Sequence, residues 1–442
     1  MTQQRRLTAL VLALVVVANA AVLVWLWVHG GNLHPRTTAD ALTSAGRLTG
    51  LLGAYLALIQ VVLLARLPVV ERLVGFDRLT VWHRWNGHAC IDLIVAHVVL
   101  TVWGYALLDK FSLPHEISTM LGGGVYPGMI TATVGTAMLL AVVATSVVIV
   151  RRRLRYEWWY TVHLLAYGGI ALSWFHEIPT GNEFVLSTIA ADYWRALYLV
   201  TIALLVVWRL LLPIAGALRY GLRVAEVTPE GPGVVSLRIT GRNVHHLRAR
   251  AGQFFLWRFL ARGAWGTAHP FSLSAAPDGR SLRITVKGLG DHSGRIARIE
   301  PGTRVLAEGP FGIFTDDRRH SDKAVLIAGG IGITPIRALI EAMQGDLIVL
   351  YRVVADADVI FRDELDALCA ERGAVVHYIV GDHAGAGRDL LAPAHLLELV
   401  PDITERDVFL CGPPAMADVV RKNIREARVP RRQVHAERFA LI

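Results

Sequence analysis

The chain has 442 residues, of which 54% are hydrophobic and 18% charged, with a formal net charge of +9. The apolar excess excludes a single soluble domain: it is concentrated in runs before Leu212 and gives way to ordinary globular composition after Arg219. The positive charge requires no nucleic-acid partner, because part of it lies between apolar runs, where it marks one face of a lipid bilayer.

Six runs approach the roughly 20 residues that span a bilayer: Leu7 to Val28, Leu48 to Leu64, His83 to Leu108, Met129 to Val150, Trp158 to His176 and Ala190 to Leu212. The N-terminus carries Arg5 and Arg6, the second connection Arg66, Arg72, Arg78 and Arg84, and the fourth the RRRLR that starts at Arg151. The first, third and fifth connections hold only Arg36 and Arg47, Lys110, and Arg195. Lys and Arg accumulate on the cytoplasmic side, so both termini are expected there. Short loops and the lack of disulfide candidates on the outer face suggest a bacterial inner membrane. Arg5, Arg6 and Ala18-Asn19-Ala20 imitate a cleavable signal peptide, but the run continues to Val28, which favours a retained helix. Cys90, Cys369 and Cys411 have no metal-ligand spacing, so they build neither a zinc site nor a four-cysteine iron–sulfur cluster.

The third run holds HRWNGHACIDLIVAH, His83 to His97, where polar side chains are expensive. His83 and His97 are 14 residues apart, which is about 21 Å of helical rise and within about 40° of one face. The fifth run carries His163 and His176, 13 residues apart. With alternating connections both runs point the same way, so His83 is expected opposite His163 and His97 opposite His176. Two histidines from neighbouring helices can hold one heme iron from both sides, and two such layers form an electron path. The alternatives are interior histidines bonded to backbone or a proton relay, which suit a lone histidine better than two pairs. On an ideal helix His176 lies about 140° from His163, so either the heme planes are rotated relative to each other or the helix is irregular, with Gly168-Gly169 as a place for that irregularity. His88 falls on the opposite face from His97 and reads as a structural or headgroup residue.

From Arg219 short β-type runs such as VVSLRIT and SLRITVKG point to a small antiparallel barrel, to about Pro310. Within it, HPFSLSAAP sets an aromatic ring and hydroxyls on an extended segment. In VKGLGDHSGRI, the amides from Gly290 to Gly294 can hold a pyrophosphate. AVLIAGGIGITPIRALIEAM follows as strand, glycine turn and helix, the context in which Gly329, Gly330 and Gly332 let a dinucleotide phosphate approach a helix N-terminus opened by Thr334-Pro335. DLIVLYR and DVFLCGPPAM supply further parallel-type strands.

With HPFSLS, GDHS, EGPFG, GGIGITP, CGPP and the terminal ERF in this order, together with the histidine pairs, the chain resembles the NADPH oxidase and ferric reductase superfamily over nearly its whole length. The resemblance implies a membrane bundle of six transmembrane helices (1–215), an antiparallel β-barrel FAD domain (216–318) and an α/β parallel-sheet NAD(P) domain (319–442). It implies FAD contacts from His269, Pro270, Phe271, Ser272, Leu273 and Ser274 and around Val286 and Lys287. The FAD pyrophosphate would lie on Gly290, Asp291, His292 and Ser293. NADPH or NADH would lie on Gly329, Gly330, Gly332, Thr334 and Pro335, with Cys411, Gly412 and Pro413 near hydride transfer. Phe439 resembles the aromatic that covers the flavin, with a core aromatic as the alternative. Arg352 follows a strand where its charge would favour a 2′-phosphate. Arg47 resembles the arginine beside an oxygen-reducing centre, or serves as an interfacial anchor. Arg84 and Arg151 to Arg153 sit where heme propionates or topology could use them.

The implied activity carries electrons from NAD(P)H through FAD and two b-type hemes, on His83 with His163 and His97 with His176, to an outer acceptor. That acceptor is dioxygen, giving superoxide, or a ferric chelate; a quinone or periplasmic protein partner is a third choice. A different class of reading is a flavin reductase fused to a heme-free anchor or transporter. Thr101 stands where animal oxidases often have another histidine, and no calcium-binding loop is encoded.

Overall fold

The computed structural model describes residues 3–438 apart from 123, 125, 152, 155, 262–267, 289–293, 295, 297 and 382–388. It divides into two compact units, Met1–Leu73 with Arg78–Arg209, and Val74–Asp77 with Leu210–Ile442.

The first unit is helical. Its long helices are α1 (Gln3–Trp27), α2 (Thr38–Leu63), α3 (Phe76–Asp109), α4 (Met129–Ser146), α5 (Tyr156–Thr180) and α6 (Thr188–Val206). Caps fix two of the starts: Thr37 and Asp40 form a reciprocal capping box on α2, and the Ser187 hydroxyl accepts the Ala190 N–H of α6. Tyr55 and Leu58 of α2, Trp194 and Tyr198 of α6, Leu23 of α1 and Phe184 build its core. Large apolar side chains such as Leu10, Trp85 and Leu199 point outward, as a lipid-facing surface requires.

Among the described residues, five helical stretches are long and apolar enough to cross a membrane: Leu7–Asn32, Thr38–Leu63, Arg78–Asp109, Met129–Ser146 and Thr188–Tyr220. The expected span over Trp158 to His176 is helical but is not among them, because tryptophans, tyrosines and His163 dilute its apolar character. The helix α5 runs unbroken through Gly168-Gly169, where an irregularity was one of the two expectations. Gly169 instead permits close packing: a Cβ there would sit 2.8 Å from the Gly135 carbonyl of α4, and one on Gly135 would sit 2.6 Å from the Gly169 carbonyl.

The second unit starts with α7 (Leu212–Tyr220) and contains β1 (Arg223–Gly231), β2 (Val234–Thr240), β3 (Phe254–Phe259), β4 (His269–Ser272), β5 (Ser281–Lys287) and β6 (Val305–Phe311). Where a barrel was expected, these strands form two three-stranded antiparallel sheets, β1-β2-β5 and β4-β3-β6. Isolated bridges link them at Leu273–Ile284 and Arg223–Arg304. Leu237, Ile239, Phe255, Trp257, Phe259 and Ile284 fill the space enclosed.

A five-stranded parallel sheet follows, made of β7 (Lys323–Gly329), β8 (Asp346–Val353), β9 (Val375–Val380), β10 (Asp407–Gly412) and β11 (Val434–Arg438), with α8 (Ile333–Ala342), α9 (Arg362–Arg372), α10 (Pro393–Leu399) and α11 (Pro414–Glu426). Its order is β11-β10-β7-β8-β9. The chain reverses direction across the sheet between β7 and β10, the switch point where open α/β sheets bind ligands. Val234, Ala251 and Phe314 of the antiparallel part share one core with Leu326, Tyr351 and Phe361 of the parallel-sheet part.

Ion pairs reinforce that union. Arg283 of β5 bonds Glu364 of α9 at 2.9 Å, the buried Arg337 of α8 bonds the same carboxylate at 2.6 Å, and Arg337 also pairs with Glu341. Glu364→Ala leaves Arg337 with one partner in a nearly dry site, so it is expected to destabilise this unit by about 2–3 kcal/mol. Chemical denaturation of the variant and the parent measures it, and Asp356→Ala, at an exposed pair with Arg362, serves as the near-neutral control.

Candidate redox sites

The four candidate histidines lie in two helices of the first unit. The His83 and His163 ring centroids are 6.1 Å apart, and His97 is an electrostatic neighbour of His176. Both expected pairs therefore come together. Metal–nitrogen bonds of about 2 Å on either side of one iron place ring centres roughly 6 Å apart, so the inner pair fits that ligation.

The second ring nitrogen decides what each imidazole can do. The Nδ1 of His83 lies 3.2 Å from the Gln60 carbonyl and that of His97 2.8 Å from the Gly46 carbonyl. A carbonyl only accepts, so both Nδ1 atoms carry the proton. The Ser146 hydroxyl donates to the Val142 carbonyl at 2.7 Å, and therefore accepts at the Nδ1 of His163, 3.4 Å away. The Thr180 hydroxyl donates to the His176 carbonyl and likewise accepts from the Nδ1 of His176 at 3.0 Å; it lies 3.4 Å from the Nε2. His83 and His97 are thus held as the Nδ1–H tautomer, with the Nε2 lone pair available for a metal, while the His176 ring also meets the Pro127 backbone. The carbonyls of Gln60 and Gly46 are themselves 14 residues apart on α2, matching the spacing of His83 and His97 on α3.

This pairing needs the two helices close together. A Cβ on Gly50 would lie 2.6 Å from the His97 Nδ1, one on Gly53 3.0 Å from Ile94, and one on Gly104 2.9 Å from the Thr43 backbone nitrogen. Trp159 stacks on His163 at 4.9 Å and donates its indole N–H to Ser146 at 3.2 Å.

Other candidates have different surroundings. Arg47 is half-buried and donates to Asn32 at 2.9 Å, and Asn32 donates to Glu183 at 2.9 Å. Burial pushes the Glu183 carboxyl above its ordinary value, with Arg47 and Asn32 pulling it back. Thr101, one turn beyond His97, sits 3.4 Å from its Nδ1. Arg151 lies over the Trp159 ring at 4.4 Å; Arg152 lies outside the described residues.

In the second unit, His269, Pro270 and Phe271 of β4 are partly exposed, and the rings of His269 and Phe271 stack at 6.1 Å. Ser272, Leu273 and Ser274 are buried. The Ser274 hydroxyl accepts from Thr285 at 2.8 Å and from Arg283 at 3.2 Å, so this hydroxyl braces the two sheets. Val286 is in the core, while Lys287 bonds Asp358 at 3.2 Å. Gly290, Asp291, His292, Ser293 and Phe439 lie outside the described residues.

At the switch point, Gly330 adopts φ +52°, which favours glycine. A Cβ on Gly332 would collide with the Cys411 carbonyl and lie 2.9 Å from the Gly412 Cα, and one on Gly412 would lie 3.2 Å from the Gly329 Cα. Gly329, Gly332, Cys411, Gly412 and Pro413 are therefore packed together at the carboxyl ends of β7 and β10. A cleft of about 200 Å³ opens beside them, lined by Pro232, Val234, Lys287, Gly330, Asp358 and Ile360. Thr334 and Pro335 are buried; the Thr334 hydroxyl donates to the Ile331 carbonyl and closes the turn. Arg352 does not present its charge at the strand end as expected. It is buried in β8 with its guanidinium on the Val353 and Ile379 carbonyls.

Sequence reading missed two features. The Gln60 and Gly46 carbonyls leave no signal, since any residue has a carbonyl. Glu177, next to His176, receives bonds from Trp194 at 2.8 Å and from Tyr198 at 2.8 and 2.9 Å. A carboxylate at the end of an apolar run was a visible signal for it.

Comparison with known proteins agrees with this layout. Residues 49–174 match the family of the ferric reductase like transmembrane component, and residues 326–422 match the oxidoreductase NAD-binding domain. Ferredoxin–NADP reductase B of Sorangium cellulosum is 33% identical over 237 residues, 49% of this chain and 96% of its own length. NADH oxidoreductase HCR of Escherichia coli is 29% identical over 48% of this chain and 65% of its own length. The flavohem-like FAD/NAD binding domain of a Vibrio cholerae nitric oxide dioxygenase aligns with a TM-score of 0.42 at 24% identity, over 49% of this chain and 98% of its own. The chain belongs to the NADPH oxidase and ferric reductase superfamily, as a ferric-reductase-like transmembrane domain fused to a ferredoxin-reductase-type FAD/NAD(P) module.

Proposed function

We propose that this electron-transfer oxidoreductase takes electrons from cytoplasmic NAD(P)H and delivers them singly to an acceptor across a bacterial inner membrane, dioxygen or a ferric chelate. Six helices form the membrane part, FAD binds beside the β4 strand, and one heme lies between His83 and His163 and another between His97 and His176. When bound, FAD accepts a hydride and gives up single electrons, which hemes relay.

The observation that carries this reading is the facing of His83 and His163, ring centroids 6.1 Å apart, with the Nδ1 atoms of His83 and His97 held by carbonyls so that each Nε2 can bind a metal. A heme-free anchor or transporter has no need for paired histidines on facing helices with two of the rings fixed in the ligating form. Phe271 and His269 offer their partly exposed rings to a flavin, and Lys287 stands across the cleft from Gly330. Arg47, next in sequence to the residue that holds His97, offers positive charge to a reduced acceptor, oriented by Asn32. Arg352 is turned to backbone carbonyls, so NADPH and NADH are both taken as donors.

Anaerobic mixing of the detergent-purified protein with NADPH or NADH, followed by air or a ferric chelate, tests the reading. Flavin bleaching, then a reduced heme Soret band, then reoxidation by one acceptor is the expected order. In His97→Ala about half the heme is expected to be lost with flavin reduction intact; absorption from flavin alone in the parent protein would sink the proposal. Gly332→Ala forces a methyl against Cys411 and Gly412, so dinucleotide affinity is expected to fall about tenfold, or about 1.4 kcal/mol, at unchanged flavin content.

A further inference from the structure

At the end of the parallel sheet away from the switch-point cleft lies a cluster that the redox reading leaves unused. Asp407 opens β10, His435 is the second residue of β11, and His320 lies just ahead of β7. Since these strands are parallel neighbours, all three residues meet at the amino-terminal edge. Asp407 is fully buried, and its Oδ2 accepts the backbone N–H groups of His320 at 2.6 Å and Ser321 at 2.7 Å. The other oxygen, Oδ1, is thereby turned towards two imidazoles: the Nε2 of His435 at 2.8 Å and the Nδ1 of His320 at 3.4 Å. The rings are nearly parallel, 7° apart with centroids at 6.0 Å, and the three ligand atoms lie within 4.8 Å of one another.

We propose that His320, Asp407 and His435 form a binding site for a divalent transition metal of the zinc type, with a further coordination position open to solvent. Bonds of about 2.0–2.2 Å in a tetrahedral site put ligand atoms roughly 3.3 Å apart, and the two distances from Asp407 fall either side of that value. The side chain of His320 is 45% exposed, so it can turn to close the remaining gap and leaves a route for the ion. Two imidazoles with one carboxylate select borderline ions over calcium or magnesium, which take oxygen ligands. The backbone amides on Oδ2 and the Phe409 ring, 4.6 Å from His435, hold two of the ligands in place. A simple Asp–His bond needs only His435; the second imidazole over the same oxygen is what a metal uses. The ion would tie together the entry to β7, the start of β10 and β11, and so stabilise the folded state by mass action.

The test uses the full chain in detergent with its affinity tag removed, stripped by EDTA, re-equilibrated with zinc and assayed for bound metal by mass spectrometry. The parent is expected to hold one zinc equivalent more than either His320→Ala or His435→Gln, and zinc is expected to raise the melting temperature of the parent alone. His320→Ala leaves the Asp407–His435 bond in place, so loss of zinc there reports a lost ligand and not a lost fold. Equal zinc content in the parent and His320→Ala overturns the proposal. So does a zinc-edge X-ray absorption spectrum of the parent without imidazole nitrogen in the first shell.

Discussion

An imidazole can give a lone pair to a metal only if its single proton is held on the other nitrogen. Inside a bilayer that requirement is stricter, because no water is present to share the proton. The helix α2 meets it for His83 and His97 through backbone carbonyls that already accept one helical bond and have a second lone pair. A carbonyl is reachable from a neighbouring helix only where nothing stands in front of it. That explains the glycines at 46, 50 and 53 on α2 and at 104 on α3, each placed where a Cβ would press on the other helix. Small residues allow close approach, close approach fixes the tautomer, and the tautomer determines the chemistry available. The histidines of α5 instead have hydroxyl neighbours, Ser146 beside His163 and Thr180 beside His176, whose own protons go to carbonyls.

The second unit applies a comparable constraint to its backbone. A phosphate can approach the start of α8 only if the turn after β7 lies flat against the end of β10, and Gly329, Gly332 and Gly412 touch across that gap. The sheet order follows from the same arrangement, since β7 must be central and β10 beside it for the turn and the CGPP segment to meet.

Much of this was legible in the sequence because it depends on spacing. Histidines 14 and 13 residues apart implied two pairs, and strand, glycine turn and helix implied the switch point. What the sequence concealed depends on partners that are distant along the chain or chemically anonymous. Gln60 and Gly46 act through carbonyls. The Ser274 hydroxyl is tied to Thr285 and Arg283, which lie on a strand whose pairing no local pattern specifies. Arg352 looked like an exposed strand-end charge, yet β8 lies between β7 and β9 and its end is buried, so the guanidinium folds back on carbonyls. An irregular helix at Gly168-Gly169 was one of two ways to accommodate the 13-residue spacing, the other being rotated heme planes; the helix is unbroken there and Gly169 serves contact with a second helix.

The cleft at the switch point draws on both parts of the second unit, with Lys287 from the antiparallel part and Gly330 from the parallel sheet. Its width therefore depends on how firmly the halves are joined. The Lys287–Asp358 pair at its mouth is partly exposed and worth little alone. The Arg283–Glu364–Arg337–Glu341 cluster behind it is built on the buried Arg337, and the shared apolar core includes Val234, which lines the cleft. Rigidity thus comes from the interior of the junction, while the mouth keeps only a weak, partly exposed ion pair.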